Sequence, residues 1–276
     1  MLRLLTAAAL TLSVASTANA ATCGNDANGF NTWKQQFAAE AAAAGVGQRG
    51  LDALAATSYA TRTINADRNQ KSFRYELADF MRIRGADTIV AQGKRKVAAN
   101  PAFYASLEAA YGVPASVIVA IHGMETGFGN FMGDANVVSA ISTLAYDCRR
   151  SDFFSPHALA ALKLVDRGSL SSNTVGAMHG EVGHTQFLPG NVLQFGVDGD
   201  GNGVVDLTNL TDSLASTANF LRQKGWQPGA GFQEGQPNYV VIQQWNAATV
   251  YQKAIAIMAG RIDGQNPSFA AALQPD

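Results

Sequence analysis

The chain has few cysteines, almost no excess charge and, after its first residues, no long apolar run, and each shortage excludes something. Cys23 and Cys148 are the only cysteines in 276 residues, so disulfides cannot be the main support of the fold. The formal charge is −1, which removes nucleic acid and anionic membrane surfaces from the expected partners. No later stretch approaches the roughly 20 continuous apolar residues that a spanning helix needs. Strand signals are sparse too; the best is "NYVVIQQW" at 238–245, after a Gly/Pro/Gln-rich loop. Neither an internal repeat nor a low-complexity linker marks an independent second domain.

What is present begins with "MLRLLTAAALTLSVASTANA". Arg3 gives a short positive region, an apolar stretch follows, and Ala18-Asn19-Ala20 has the small-x-small form of a cleavage site. Residues 1–20 are therefore expected to be an export signal, and the mature protein to be soluble and periplasmic. Cys23 lies near that site, but Thr22 before it suits lipoprotein processing poorly, so no lipid anchor is expected. The 276 residues less this leader of 20 leave 256, enough for one large domain or two modest ones with a substantial core. Losing Arg3 takes the charge from −1 to −2. Export and an even count favour a Cys23–Cys148 disulfide, the alternative being two separately buried thiols.

Helical periodicity dominates the rest. Trp33, Phe37 and Ala41 recur every four residues up to Gly45, and Phe103, Leu107 and Tyr111 do so between Asn100-Pro101 and Gly112. "GVGQRG" at 45–50 matches G-x-G-x-x-G, but it follows a helix rather than a strand, so it is expected to be an interhelix turn. A last helix is expected after Asn246, read as its N-cap, and a loose tail from Asp263. The fold class is thus mainly α, with a small β element placed at 238–245.

Within this frame "HGMETGFGNFMG", residues 122–133, puts an ionisable group, Glu125, among apolar residues and glycines. Val117, Ile118 and Ile121 lie eight, seven and four residues before it, on the same face of a helix starting at Val113-Pro114, and Gly127 and Gly129 end that helix. Apolar neighbours and the negative end of a helix both raise a carboxyl pKa. A carboxylic acid held protonated near neutral pH is what general acid catalysis uses. The plainer alternative is a glutamate bent out to solvent or paired with an arginine.

Those residues also carry a resemblance. "YGVPASVIVAIHGMETGFGNFMG", "AISTLAYDCRR", "HGEVGHTQFLPGNVLQFGVDGDGNGVVDL" and "STANFLRQKGW" together resemble the membrane-bound lytic murein transglycosylase B family of peptidoglycan-cleaving enzymes. The likeness runs through most of residues 68–262, starting more weakly at "DRNQKSF". It implies a lysozyme-like α+β fold, with residues 21–276 as a single lytic transglycosylase catalytic domain whose core is residues 100–262. It also implies that Glu125 is the sole catalytic acid/base, that Gln186 of "QFLP" lines the sugar cleft, that Arg149 and Arg150 lie along the substrate groove, and that Asn246 and Tyr251 complete the site. The implied reaction cleaves the bond between N-acetylmuramic acid and N-acetylglucosamine without water, giving 1,6-anhydro ends. Ordinary glycosidases usually need two carboxylates, and no second one here stands in a comparable apolar setting. The alternatives are a muramidase that uses water and a noncatalytic peptidoglycan-binding or calcium-binding protein. No catalytic cofactor is expected, the partners are peptidoglycan glycan strands, and a monomer is expected.

Two other constellations compete. His179 and His184 flank Glu181 in "HGEVGH", but the order is not H-E-x-x-H and five residues put the histidines roughly 140° apart on a helix. A zinc protease site is not expected there, and no G-x-S-x-G elbow occurs. "DGDGNGVVDLTN", residues 198–209, follows the first nine positions of an EF-hand loop. Asp198, Asp200, Asn202, the Val204 carbonyl, Asp206 and Asn209 are the expected ligands of a weak, structural calcium ion. Asn209 stands where tight loops carry a bidentate Glu. The plainer alternative is a solvated turn.

Overall fold

The computed structural model describes residues 20–69 and 75–265. The expected signal segment, apart from Ala20, residues 70–73 of "DRNQKSF" and most of the tail lie outside these. The helices are α1 (Phe30–Ala43), α2 (Gln48–Ala55), α3 (Thr61–Arg68), α4 (Leu77–Ile83), α5 (Ala86–Ala99), α6 (Pro101–Tyr111), α7 (Ala115–Thr126), α8 (Val137–Tyr146), α9 (Ser151–Arg167), α10 (Pro189–Phe195), α11 (Leu210–Gln223), α12 (Tyr239–Trp245) and α13 (Thr249–Ile262). Among the described residues one sheet occurs: β1 (Ala135–Asn136) pairs antiparallel with β2 (Val175–Gly176), Ala135 opposite Gly176.

The centre is α7, a helix with no polar face: every residue from Ser116 to Met124 is buried. Helix α13 packs along one side, α5 along another, and α6 and α11 also touch it. Each fully buried Val or Ile contributes about 1.5–3 kcal/mol relative to exposure, so the segment that carries Glu125 is held by extensive apolar burial. Gly123 permits the approach of α5, since a Cβ there would sit 2.5 Å from Ile89 Cγ2. Gly127, at φ 56°, terminates α7 in the left-handed conformation that glycine tolerates. Pro101 opens α6 and Gly112 closes it, as the spacing predicts.

Three expectations are corrected. "NYVVIQQW" is not a strand but helix α12. Asn238, Val241 and Ile242 are buried and Val240 is 58% exposed, an i, i+3, i+4 pattern in which tertiary packing overrides β propensity. The β element instead lies between the loop after α7 and the loop after α9. In "GVGQRG" the turn ends at Gly47, and Gln48–Gly50 already form the first turn of α2. Asn246 is not the N-cap of α13, which is Ala248; its Oδ1 accepts the Ala248 N–H at 3.0 Å. The structure joins Cys23 to Cys148, with Cα atoms 4.9 Å apart. No single helix among the described residues is long and apolar enough to cross a membrane.

Candidate functional site

Glu125 lies in the last turn of α7, half-buried, where two cavities meet. One, of about 470 Å³, runs between α4–α5 and the loop after α7, lined by Arg84, Thr88, Gln92, Asn130 and Phe131 among others. The second, of about 420 Å³, is lined by Tyr75, Phe80, Arg84, His179, Asn246 and Tyr251. Glu125 is the one carboxylate among the described residues that line either. Tyr251 of α13 donates its hydroxyl to Glu125 Oε1 at 2.6 Å, and Trp245 of α12 donates its indole N–H to the same oxygen at 2.8 Å. With Oε1 accepting twice, a proton on the acid belongs on Oε2. Burial pushes the Glu125 pKa up, and the Tyr251 and Trp245 hydrogen bonds pull against it without reversing it. Burial also pushes Tyr251 well above its ordinary range, with the adjacent Glu125 charge adding to it, so the phenol stays a donor.

Trp245 escapes sequence reasoning because the β-branched and aromatic residues of its segment favour a strand. Its ring meets Phe187 at 5.3 Å and Phe220 at 5.2 Å, both edge-on, contacts worth about 0.5–1.5 kcal/mol each. These hold the indole where its N–H reaches Glu125. The usable signal was the helical spacing from Asn238 through Val241 and Ile242 to Trp245.

The remaining expected residues separate. Asn246 and Tyr251 line the second cavity. Gln186 lines neither; at φ 56° it sits in a turn closed by the Val182–Phe187 bridge, and its Nε2 donates to Gly183 O at 2.8 Å and Met132 O at 3.5 Å. It braces the wall beside the α7 loop. Arg149 and Arg150 line neither cavity and both contact the buried carboxylate of Asp67. His184 meets His122 at 3.1 Å, ring nitrogen to ring nitrogen. Burial lowers the His122 pKa to about 3 and lowers that of His184 as well. His179 instead lies beside Asp67 and Glu181.

In the 198–209 loop Asp198 accepts the N–H groups of Gly201, Asn202 and Gly203. Those amides, that of Gly203 foremost, hold its carboxyl below the usual range. Asn209 does not fit the expected ligand role. Its Oδ1 caps α11 by accepting from Thr211 N at 2.8 Å, and it turns its Nδ2, a donor, toward Asp200. Asp206 Oδ1 accepts from the Thr208 N–H and hydroxyl. Asp212, which the motif did not single out, comes forward instead. Buried in the first turn of α11, it offers a carboxylate oxygen within 4.8 Å of oxygens of Asp198 and Asp200. That donor set is all hard oxygen and suits Ca²⁺ or a similar divalent cation.

The chain is 35% identical to membrane-bound lytic murein transglycosylase B of Escherichia coli (strain K12) over 121 residues, 43% of this chain and 34% of that protein. The matched segment thus spans about a third of that relative's length. Among solved structures, SltB3 from Pseudomonas aeruginosa in complex with NAG-anhNAM-pentapeptide superposes with a TM-score of 0.79 at 27% identity, covering 86% of this chain and 80% of that one. The Escherichia coli lytic transglycosylase Slt35 in complex with calcium shares the fold, at a TM-score of 0.72 and 22% identity over 95% of this chain and 100% of that one. The family profile described as "Transglycosylase SLT domain" matches residues 29–234, most of the chain, which therefore belongs to the SLT transglycosylase domain family.

Proposed function

We propose that the protein is an exported lytic transglycosylase that cleaves the MurNAc–GlcNAc bond of peptidoglycan and leaves 1,6-anhydro-MurNAc ends. The observation that carries this is the solitude of Glu125: one acid at the junction of two cavities, with both fixed donors on a single oxygen. In the first step Glu125 Oε2 gives its proton to the departing glycosidic oxygen. The resulting carboxylate is stabilised by Tyr251 and Trp245 and removes the proton from the sugar's own C6 hydroxyl as that oxygen bonds to C1. The acid is regenerated and no water is consumed. The ligand of SltB3 belongs to the class this cleft would take.

Residues 1–20 serve as the export signal, and residues 21–276 form one catalytic domain, in keeping with one contiguous apolar core from Phe30 to Ala259. The enzyme works as a periplasmic monomer on glycan strands. Asp198, Asp200 and Asp212, with oxygens of Asn202 and Val204, would hold a structural Ca²⁺, and Slt35 is known with calcium. Mass spectrometry of sugars released from purified sacculi tests the reaction. Anhydro ends support it, reducing ends indicate a muramidase, and no release leaves a binding protein.

A further inference from the structure

Asp67, in the last turn of α3, carries a carboxyl group that is 1% exposed at its side chain and far in sequence from everything it holds. Arg150 Nη1 donates to its Oδ1 at 2.7 Å, and the Arg149 guanidinium reaches its other oxygen. His179 Nε2 stands 3.7 Å from the same Oδ1, and the opposite nitrogen of that ring faces Glu181 at 3.6 Å. His179 in turn lines the cavity that contains Glu125 and Tyr251. Three side chains at one edge of the cleft thus share one buried anion.

The anchoring is stronger than a surface ion pair. Arg150 lies over the rings of Phe154, at 4.7 Å, and Phe153, at 5.2 Å, so its plane is fixed by stacking as well as by charge. Both arginines remain about a third to a half exposed, 46% for Arg149 and 34% for Arg150, and each guanidinium has five N–H donors. One carboxylate oxygen apiece does not exhaust the two guanidinium groups, which keep donors to spare.

We propose that Asp67 is a positioning residue. It presets Arg149 and Arg150 as a paired fork for a carboxylate of the glycan's lactyl-linked peptide, and braces His179 at the cavity wall. This rests on the peptidoglycan reading above. Bidentate recognition of a carboxylate gains from preorganised donors, and without Asp67 two adjacent cations repel and splay. The turn that carries the arginines has independent support. Arg68 Nη2 donates to the buried Asp147 at 2.8 Å, Arg149 N–H donates to Asp147 at 2.9 Å, and the Cys23–Cys148 bond lies between them. Loss of the Asp67 charge should therefore loosen the fork without unfolding the turn.

The test is calorimetric titration of a disaccharide pentapeptide into the full mature chain carrying Glu125→Gln, which removes any dependence on turnover. Adding Asp67→Asn should weaken binding about tenfold, the equivalent of one charge-assisted contact. Asp67→Glu, which keeps the charge but displaces it, should lie between. In an Arg149→Ala/Arg150→Ala background, Asp67→Asn should have no further effect. In the active enzyme the same change should raise KM and leave kcat within about twofold, the signature of lost ground-state binding. Unchanged affinity in folded Asp67→Asn and Asp67→Glu, or an equal loss with and without the arginines, would overturn the proposal. Wild-type protein that releases no sugar from sacculi would overturn the enzymatic reading instead, and the titration would still decide the role of Asp67.

Discussion

The end of α7 and the start of α11 each present a carboxylate, and the chain treats them in opposite ways. Glu125 sits in the last turn of its helix, where unsatisfied carbonyls gather, and Asp212 in the first turn of its own, where amides do. Glu125 caps a buried apolar helix, and among the described residues the donors bonded to it are one phenol and one indole, both on Oε1. Around the 198–212 loop backbone amides are abundant: Asp212 accepts from Gly199, Asp200 and Asp206, and Asp198 from three more. Burial raises the Glu125 pKa, and in the loop the amides lower that of Asp198. The same functional group becomes an acid where donors are scarce and a permanent anion where they are plentiful.

The most severe break in that contrast is Glu125→Gln. An amide can neither give the proton in the first step nor take one in the second, so activity on sacculi should fall by the roughly 10²–10⁴ that general acid catalysis supplies, with the melting temperature unchanged. Retention of more than a few per cent of activity would sink the assignment. On the other side, Asp212→Asn replaces an acceptor of three amides with a group that offers one acceptor and one donor. The buried mismatch should cost about 2–3 kcal/mol by urea unfolding, with kcat on sacculi nearly intact because the residue is far from the chemistry in role. A variant as stable as wild type would show that the amides do not need the charge.

Much of this contrast was legible in the sequence, and its gaps have physical causes. The stripe of Val117, Ile118 and Ile121 ahead of Glu125, closed by Gly127, was readable because helical periodicity and a left-handed stop are local signals. That α7 is buried on every side, rather than along one stripe, was not, because the covering faces come from α5 and α13. Trp245 was lost because β-branched and aromatic residues at 239–245 favour a strand until tertiary packing decides otherwise. The role of Asp212 was hidden by a motif template twelve residues long, beyond which it lies. At Asn209 the loop template predicts a ligand where the side chain also caps a helix, a competition common for Asn. The sequence also could not show that Gln186, Arg149 and Arg150 spend donors on the protein itself.

A sharper probe of the acid side is Tyr251→Phe. The hydroxyl stabilises the carboxylate form, so its loss should raise the Glu125 pKa further. The sign then follows: activity requires the protonated acid and falls as pH rises through its pKa, so the alkaline limb of the kcat profile should move to higher pH. Below that limb kcat should drop about tenfold, the worth of one hydrogen bond to a charged group forming as the proton leaves. A limb that moves to lower pH would contradict the donor role. Trp245→Phe should shift the limb in the same direction.

The smallest effect expected is that of calcium, and it bears on the anion side alone. Asp198, Asp200 and Asp212 bring three carboxylates within reach of one ion, but Asn209 turns a donor, its Nδ2, toward Asp200, so the ligand set is smaller than that of a sensor loop. Affinity should therefore fall in the range of extracellular modules, about 10⁻⁴ to 10⁻³ M. An ion that binds only the folded chain stabilises it by mass action, so about ten times the dissociation constant of free calcium adds about 1.4 kcal/mol. The melting temperature should rise with calcium and saturate in the millimolar range, while magnesium, which holds its waters more tightly, should do less. The loop also adjoins the wall of the cleft, since His184 N–H donates to Leu207 O and Thr126 Oγ1 donates to His184 O. Even so, Glu125 keeps its own donors on α12 and α13, so kcat at low temperature should stay constant. Asp200→Ala should abolish the calcium-dependent shift. If millimolar calcium moves neither the melting temperature nor a calorimetric trace, the loop is held by its amides alone and the carboxylates serve only to satisfy them.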